Sequence, residues 1–386
     1  MRSLRSRKMK NVSRLFALNG ILNNNNRLLH QQTRDKNSAN YQNSKNTWKE
    51  KHPYKQIHPW KSVNEFSEFL VQNVIYNKDG LVAINKPYGI AARNRDDKDR
   101  KSRYLQESLN KISNEVNYTL TNSLPYIAKH LGYEKLTLVK APERYMTGVT
   151  LLAADKSVED AILSTEHRAL TLKKLTKSYW IVTTRPCEET IGKKQLGLKL
   201  LKSPCKKFER PVFVDTWSKM DIKRQDVKMI DIEHKLLSNS KMNLSSLIEM
   251  KVTTRKYHAI RLFAATKLHS PVLGDNNHGS RIQNIMGTWM TVNPFLDSVS
   301  QPPILNEKLL KALNLSELMQ NIIPVHIHLR QVELLHYLKR GKSLNIQAPL
   351  FPEFSWTFDT LGFELSNETE SNNEVNEEER QFVQNC

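Results

Sequence analysis

Four segments of this sequence collect ionisable and aromatic residues that could do chemistry. The first, Asn85–Gly89 (NKPYG), follows an apolar run, and its proline and glycine favour a rigid turn. The second, residues 140–154 (KAPERYMTGVTLLAA), is a polar stretch containing Glu143 that runs into an apolar strand. The third, residues 177–179 (KSY), opens another β-rich run, and the fourth, residues 255–279 (RKYHAIRLFAATKLHSPVLGDNNHG), is rich in cations and histidines. A carboxylate among cations and a tyrosine could act as an acid, a base or a nucleophile.

Taken in order, these segments resemble the motifs of the RluA-type family of RNA pseudouridine synthases. That family has an NKPxG turn, then HRLDxxTSGLLLLA, KxY, GRxHQIR and PxxGDxxYG. A later LHAxxLxF strand of the family is similar to residues 327–334 (IHLRQVEL). The resemblance covers about residues 70 to 358 and looks nearest to the divergent branch of mitochondrial mRNA pseudouridine synthases. It implies an α+β fold, in which a large mixed, mostly antiparallel sheet with flanking helices surrounds a central basic cleft.

The resemblance also implies which residues would be catalytic. Enzymes of this family break the C1′–N1 bond of a uridine, rotate the base and rejoin it through C5, without a cofactor. Glu143 stands at the position of their catalytic carboxylate, Arg261 at that of its cation and Tyr179 at that of the tyrosine that packs on the target base. A buried carboxylate that works at the sugar must stay ionised, so a cation should face it. As alternatives, Tyr179 could be a core aromatic and Arg261 a cation on a helix surface.

Further residues of the four segments are expected to contact RNA, while no metal site is expected. The predicted RNA-binding residues are Lys86, Lys140, Lys177, Lys256 and His258. Lys86 could instead support the turn, and Asp275 is interpreted as shaping a turn. The cysteines Cys187, Cys205 and Cys386 are scattered without metal-ligand spacing, and they fit a reduced compartment. His326 and His328 are expected to face opposite sides of a strand, which disfavours a shared metal.

The sequence departs from the family motifs where catalysis is centred. Glutamate replaces aspartate at position 143, so its carboxylate reaches about one methylene further, and a 1 Å displacement can cost about 100-fold in rate. Lys140-Ala141 replaces His-Arg, and Arg255 and Ala259 replace a glycine and a glutamine. Two main hypotheses follow: an RNA pseudouridine synthase acting on mitochondrial mRNA or rRNA, and a catalytically impaired RNA-binding or mitoribosome-assembly factor on the same fold. An unrelated α/β enzyme is a third.

The charge of the chain favours RNA as the partner. The formal net charge is +20, and basic proteins bind polyanions because neutralised phosphates release counterions. Residues 1–34 contain eight basic residues and no acidic one, with apolar positions about a helical turn apart, which is typical of a mitochondrial presequence. A basic RNA-binding arm is the alternative. Removing this segment leaves about +12, so the expected matrix protein remains basic, and RNA-granule or ribosome-assembly proteins are further candidate partners.

The rest of the chain divides by composition. Residues 35–65 are polar and predict a linker, residues 66–360 a single pseudouridine synthase-like domain, and residues 361–386 an acidic, disordered tail. Apolar runs that predict strands and helical spacings that predict helices do not alternate strictly along the chain. This order favours a largely antiparallel sheet over a doubly wound parallel one. The predicted strands lie near residues 81–85, 149–154, 179–183, 212–217, 247–253 and 332–335, and the predicted helices near 105–112, 158–163 and 309–322. No apolar run approaches the roughly 18 residues of a membrane span.

Overall fold

The computed structural model describes residues 51–93, 116 and 118–365 of the chain. Within these residues, eleven strands form one large sheet and two more form a separate hairpin. In chain order the strands are β1 (Val74–Lys78), β2 (Leu81–Lys86), β3 (Thr137–Lys140), β4 (Thr147–Ala153), β5 (Lys177–Val182), β6 (Ile191–Lys202), β7 (Glu209–Val214), β8 (Val227–Asn239), β9 (Ser246–Val252), β10 (Ile282–Ile285), β11 (Thr288–Thr291), β12 (Ile327–Leu334) and β13 (Leu344–Gln347). The helices of the same described part are α1 (Val63–Gln72), α2 (Leu120–His130), α3 (Lys156–Thr171), α4 (Lys219–Lys223), α5 (Ala259–Thr266), α6 (Glu307–Ala312) and α7 (Pro352–Leu361).

The large sheet is mixed but mostly antiparallel. Its main path runs β1-β2-β4-β12-β5-β9-β8-β6-β7, with β13 beside β12 and β3 beside β4. All of its pairings are antiparallel except the short parallel contact between β4 and β12. The predicted fold class, an α+β fold built on a large mixed sheet with flanking helices, is therefore confirmed.

Strand β4 leads out of the loop that carries Glu143 and joins three neighbours. One of its edges pairs with β2, while the other is shared between β12, which pairs with Thr147 and Gly148, and β3, which pairs with residues 151–153. Gly148 has φ +115°, and a Cβ atom there would lie 2.2 Å from the carbonyl oxygen of Leu329. Only glycine allows β12 to approach β4 this closely.

The central strands of the sheet are buried on both faces, and β5 shows how the sequence achieves this. Tyr179 and Ile181 belong to the central core cluster, which includes residues of α3 and α5, whereas Trp180 and Val182 belong to a cluster with α6 and α7. Successive side chains of a strand point to opposite faces, so β5 contributes to both cores. A third cluster joins α1 and α2 to β2. The site described below lies at the ends and flanks of these central strands.

The folded body begins before the predicted boundary at residue 66. Tyr54 is 1% exposed, and its hydroxyl lies 2.7 Å from the hydroxyl of Thr357 in α7. Trp60 is also buried, and Ser62 caps α1 by accepting a hydrogen bond from the Glu65 backbone amide. The prediction of a linker through residue 65 is therefore wrong for residues 53–65, because a few aromatic anchors in a polar stretch give no periodic signal.

Two further expectations need correction. The helical spacing predicted between residues 309 and 322 is interrupted: α6 ends at Ala312, Asn314 adopts φ +53°, and a 3-10 segment follows at Glu317–Ile322. His326 and His328 both contact the ring of Phe354, so they face the same side, as residues two apart on a strand do.

Several predicted segments lie outside the described residues. They are the presequence (1–34), the linker up to residue 50, the helical spacing at 105–112 and the acidic tail beyond residue 365. None of the helices in the described part of the chain has the length and hydropathy that a bilayer-spanning segment requires.

Candidate active site

Glu143 lies in the loop between β3 and β4, and the NKPYG turn after β2 fixes that loop. The backbone amide of Gly89 donates to the Arg144 carbonyl at 2.9 Å, and Arg144 Nε donates back to the Gly89 carbonyl at 2.8 Å. The Met146 amide donates to the Glu143 carbonyl at 2.9 Å, which closes a tight turn. The carboxylate therefore stands on a loop held at both ends.

Lys86 holds the same two segments together from inside. It is fully buried, and its Nζ donates to the carbonyl oxygens of Pro87, Ile90 and Arg144 at 3.0, 3.1 and 3.4 Å. The pKa of this amine lies well below its ordinary value, mainly because the amine is buried and also because Arg144 and Arg255 are positively charged. These hydrogen bonds support the turn, which is one of the two roles expected for Lys86, while its contact with RNA stays a prediction.

Arg261, in the first turn of α5, is completely buried and forms an ion pair with Asp275. The guanidinium carbon lies 4.6 Å from the centre of the Tyr145 ring. Asp275 Oδ1 also accepts from the backbone amides of Asn277 and His278 at 2.9 and 3.0 Å. Burial alone would raise the pKa of Asp275, but the charge of Arg261 holds it below its usual range. Asp275 thus shapes a turn and is also the ion-pair partner of Arg261, the arginine that was expected to pair with Glu143.

Two consecutive left-handed residues direct the chain into α5. Tyr257 and His258 both have φ +56°, a conformation that is uncommon for residues with a Cβ atom. His258 Nδ1 lies 3.2 Å from His278 Nε2, and the ring makes an edge contact with Tyr145. The pKa of His258 is lowered to about 3, mainly by burial and also by the charge of Arg261. His258 is therefore a buried ring whose charged form is disfavoured, and its contact with RNA stays a prediction.

The environment of the Glu143 carboxyl combines burial with positive charge. Burial raises its pKa above the ordinary value, and the neighbouring Tyr145 hydroxyl, Arg255 and Arg261 offset part of that rise. The Tyr145 hydroxyl makes no hydrogen bond of good geometry among the described residues, but it lies close enough to favour the charged carboxylate. The pKa of Glu143 is thus set by burial, which favours the neutral acid, and by nearby positive charge, which favours the carboxylate.

Tyr179 and Arg255 complete this group. Tyr179 on β5 is 0% exposed, and within the described part of the chain its hydroxyl has no hydrogen-bond partner. Burial raises its pKa to about 12, while the charge of Arg255 opposes the rise. Arg255 Nη1 donates to the carbonyl oxygen of Ala141 at 3.0 Å, at the start of the Glu143 loop. The structure therefore brings Glu143, Arg261 and Tyr179 into one region, together with Arg255.

The other predicted RNA-binding lysines differ in their environments. Glu166 of α3 binds both Lys140 and Lys177, at 2.6 and 2.5 Å, so these two cations hold a helix against β3 and β5. Lys256 and Lys228 of β8 are both exposed, and partial desolvation together with the charge of Lys256 lowers the pKa of Lys228. Lys256 is the predicted contact that is best placed to meet a phosphate.

Sequence reasoning missed several residues of this site. From sequence, Arg255 is only the replacement of a family glycine and Asp275 only a turn residue. Glu166 gave no signal at all, because its contacts join elements that are distant in the chain. The excess of cations in residues 255–261 was the one available sign of Arg255.

A large mixed sheet with flanking helices, and a carboxylate, two arginines and a tyrosine gathered beside it, define a protein of the pseudouridine synthase fold. The solved structure of human RNA pseudouridylate synthase domain containing 4 has the same fold, with a TM-score of 0.56 and 21% identity. The match covers 78% of this chain and 97% of that one.

Sequence comparison gives the same result at the level of individual proteins. The chain is 24% identical over 325 residues to the human mitochondrial pseudouridylate synthase RPUSD4, a match that covers 80% of this chain and 74% of that protein. It is also 24% identical over 307 residues to the human mitochondrial mRNA pseudouridine synthase RPUSD3, covering 78% and 79% of the two chains. No family model matches the chain. These relatives confirm the resemblance to the RluA-type pseudouridine synthases.

Proposed function

We propose that this chain is an RNA pseudouridine synthase that isomerises uridine to pseudouridine in mitochondrial RNA, with Glu143 as its catalytic carboxylate. The observation that carries the proposal is the surroundings of Glu143: a half-buried carboxyl near two guanidinium groups, with Tyr179 close by. The relatives with this fold are named as pseudouridine synthases, and the chain covers about three quarters of their length.

The reaction needs no second substrate, because its product is an isomer of its starting material. The C1′–N1 bond of uridine breaks, a C1′–C5 bond forms, and the proton lost from C5 is balanced by one gained at N1. Glu143 would act at the sugar as a nucleophile or a base, and both roles require the ionised form. The positive charges of Arg255 and Arg261 favour that form in a site where burial opposes it.

Tyr179 is the proposed contact for the target base. A uridine in a helix must leave the stack to reach a buried carboxylate, and enzymes that do this hold the flipped base against aromatic rings and polar groups. The buried Tyr179 hydroxyl has no partner among the described residues, so a polar edge of the uracil ring would satisfy it. The exposed Lys256 and Lys228 would then contact neighbouring phosphates.

We place the protein in the mitochondrial matrix, where its RNA would be messenger or ribosomal RNA. The relatives carry mitochondrial names, one of which specifies mRNA, and residues 1–34 have the composition of a presequence. RNA-granule or ribosome-assembly proteins are the proposed partners for site selection.

The decisive experiment replaces Glu143 with glutamine, which keeps the shape of the side chain and removes its charge. Pseudouridine formation should fall by at least about 100-fold, because an amide is neither a useful base nor a nucleophile. The measurement is pseudouridine mapping of mitochondrial RNA in cells that lack the native protein and carry the variant. Glu189→Gln is the matched control, since Glu189 binds Lys194 outside the site.

RNA binding separates the enzyme from a binding scaffold. Affinity should change little in Glu143→Gln, because most binding free energy comes from phosphate contacts and base stacking. Full restoration of the modification by Glu143→Gln would refute catalysis by this carboxylate and favour the RNA-binding or ribosome-assembly factor.

A further inference from the structure

We propose that Arg255 is the positioning cation that keeps Glu143 ionised, while Arg261 serves mainly to build the site. This inference rests on the proposed function, since it assigns the partner of the proposed catalytic carboxylate.

The first argument is the anchoring of Arg255 to the Glu143 loop. Arg255 Nη1 donates to the carbonyl oxygen of Ala141 at 3.0 Å, and Ala141 precedes Glu143 by two residues. The backbone of Arg255 starts the 3-10 turn Lys256–His258 that leads into α5. A single guanidinium therefore links the catalytic loop to the segment that carries Arg261.

The second argument is that Arg261 is already neutralised. Its ion-pair partner Asp275 is as completely buried as Arg261 itself, and the Tyr145 ring covers the guanidinium. An arginine compensated by a buried carboxylate supports a second carboxylate less than one that has no such partner. Among the described residues, Arg255 has no ion pair with a carboxylate.

Four charged or titratable side chains face Glu143 within the described part of the chain. Tyr145 lies in its own loop, Tyr179 on β5, Arg255 before α5 and Arg261 within α5. Of these, the two arginines are the only cations, and the influence of Arg255 on the pKa of Glu143 exceeds that of Arg261. Burial alone would lower the pKa of Arg255, but the charged forms of Tyr179, Glu143 and other neighbours raise it.

The motif comparison points the same way. Position 141 holds alanine where the family motif has arginine, and position 255 holds arginine where the motif has glycine. The guanidinium that the loop lacks at position 141 thus approaches the same loop from position 255.

The test compares the pH dependence of pseudouridine formation in the wild type, Arg255→Gln and Arg255→Lys. Activity should be lost at low pH as Glu143 becomes protonated. In Arg255→Gln this acid limb should move upward by about one pH unit, because an opposite charge lowers a carboxyl pKa by about 1–3 units. Arg255→Lys should restore part of the shift, since it retains the charge.

Arg168→Gln is the matched control. Arg168 also donates to backbone carbonyls, those of Leu335 and His336 at 3.2 Å each, but it does not influence the pKa of Glu143. This variant should lower stability without moving the acid limb. The proposal would be overturned if Arg255→Gln lost activity at the same acidic pH as the wild type. This holds whether the variant's defect lies in KM or in a uniform loss of kcat.

A second readout does not depend on activity. Melting temperatures of Arg255→Gln, Glu143→Gln and the double variant should be non-additive, with a larger coupling at pH 8 than at pH 5, where more Glu143 is protonated. If the wild type forms no pseudouridine, the proposed function fails and this cycle alone decides on Arg255. Coupling would then support the pairing, and strict additivity at both pH values would overturn it.

Discussion

Replacing Asp275 with asparagine should strongly destabilise the protein. The substitution removes the charge opposite Arg261 and leaves the shape of the side chain almost unchanged, while both partners are 0% exposed. Asp275 Oδ1 also accepts hydrogen bonds from the amides of Asn277 and His278, and an asparagine oxygen can still accept both. The variant therefore tests the ion pair separately from the turn.

The expected loss follows from the burial of the pair. Removing one partner of a buried ion pair costs about 3–5 kcal/mol, because the remaining charge is left in a poorly solvated place. At about 2–4 °C per kcal/mol, Tm should fall by roughly 6–20 °C. The pKa of Asp275 is lowered in the folded state, so its contribution is complete above the unfolded value of about 3.9 and is lost as pH falls further. The difference between wild type and variant should therefore be constant near neutrality and shrink in acid.

Calorimetry on the full chain gives the required measurement. Glu307→Gln is a suitable control, because it breaks the Lys311 ion pair on an exposed helix surface and should leave Tm almost unchanged. A loss of stability below about 1 kcal/mol in Asp275→Asn would refute the reasoning, since it would mean that Arg261 is solvated or compensated without Asp275.

Three other predictions concern the strand junction, a buried acid and the N-terminal segment. Gly148→Ala should lower Tm far more than Gly132→Ala, because both positions have positive φ but only a Cβ at 148 meets β12; equal effects would contradict this. The free energy of unfolding of Glu353→Gln, measured by chemical denaturation, should increase relative to that of the wild type as pH rises from 5 to 8. Burial raises the pKa of Glu353 to about 7, so the folded wild type loses stability as pH rises from the unfolded value of about 4.3 towards 7; a pH-independent difference would count against it. Deleting residues 1–34 should abolish mitochondrial accumulation of a tagged protein, and unchanged import would favour the RNA-arm interpretation.

The parts of the fold that could be predicted from sequence are those with a local signal. Strands β2, β4, β5 and β9 are apolar runs, and each was predicted to within a few residues. The long strands β6 and β8 were missed, because their lysines and alternating exposure break the apolar run. The interruption at Asn314 was also missed, since the helical spacing continues across a residue that adopts a left-handed conformation.

The site shows the same division between local and distant contacts. The motif order located Glu143, Tyr179 and Arg261, but their roles as catalytic residues stay predictions. The pairing of Arg261 with Asp275 and the approach of Arg255 to Ala141 could not be predicted. Each depends on how α5 and the β3–β4 loop pack in space, and a linear pattern contains no such distance.

The position of β12 has a consequence for how the chain folds during synthesis. β12 lies between β4 and β5 in the sheet, although residues 183–326 separate it from β5 in the chain. Contacts between distant segments form slowly, because a long loop must close first. Until residue 327 and those after it leave the ribosome, β4 and β5 each lack a neighbour, and unpaired strand edges recruit other strands. A chain terminated before β12 would therefore leave the facing edges of β4 and β5 unpaired and would be prone to aggregation. The nascent protein should depend on chaperones until β12 is complete.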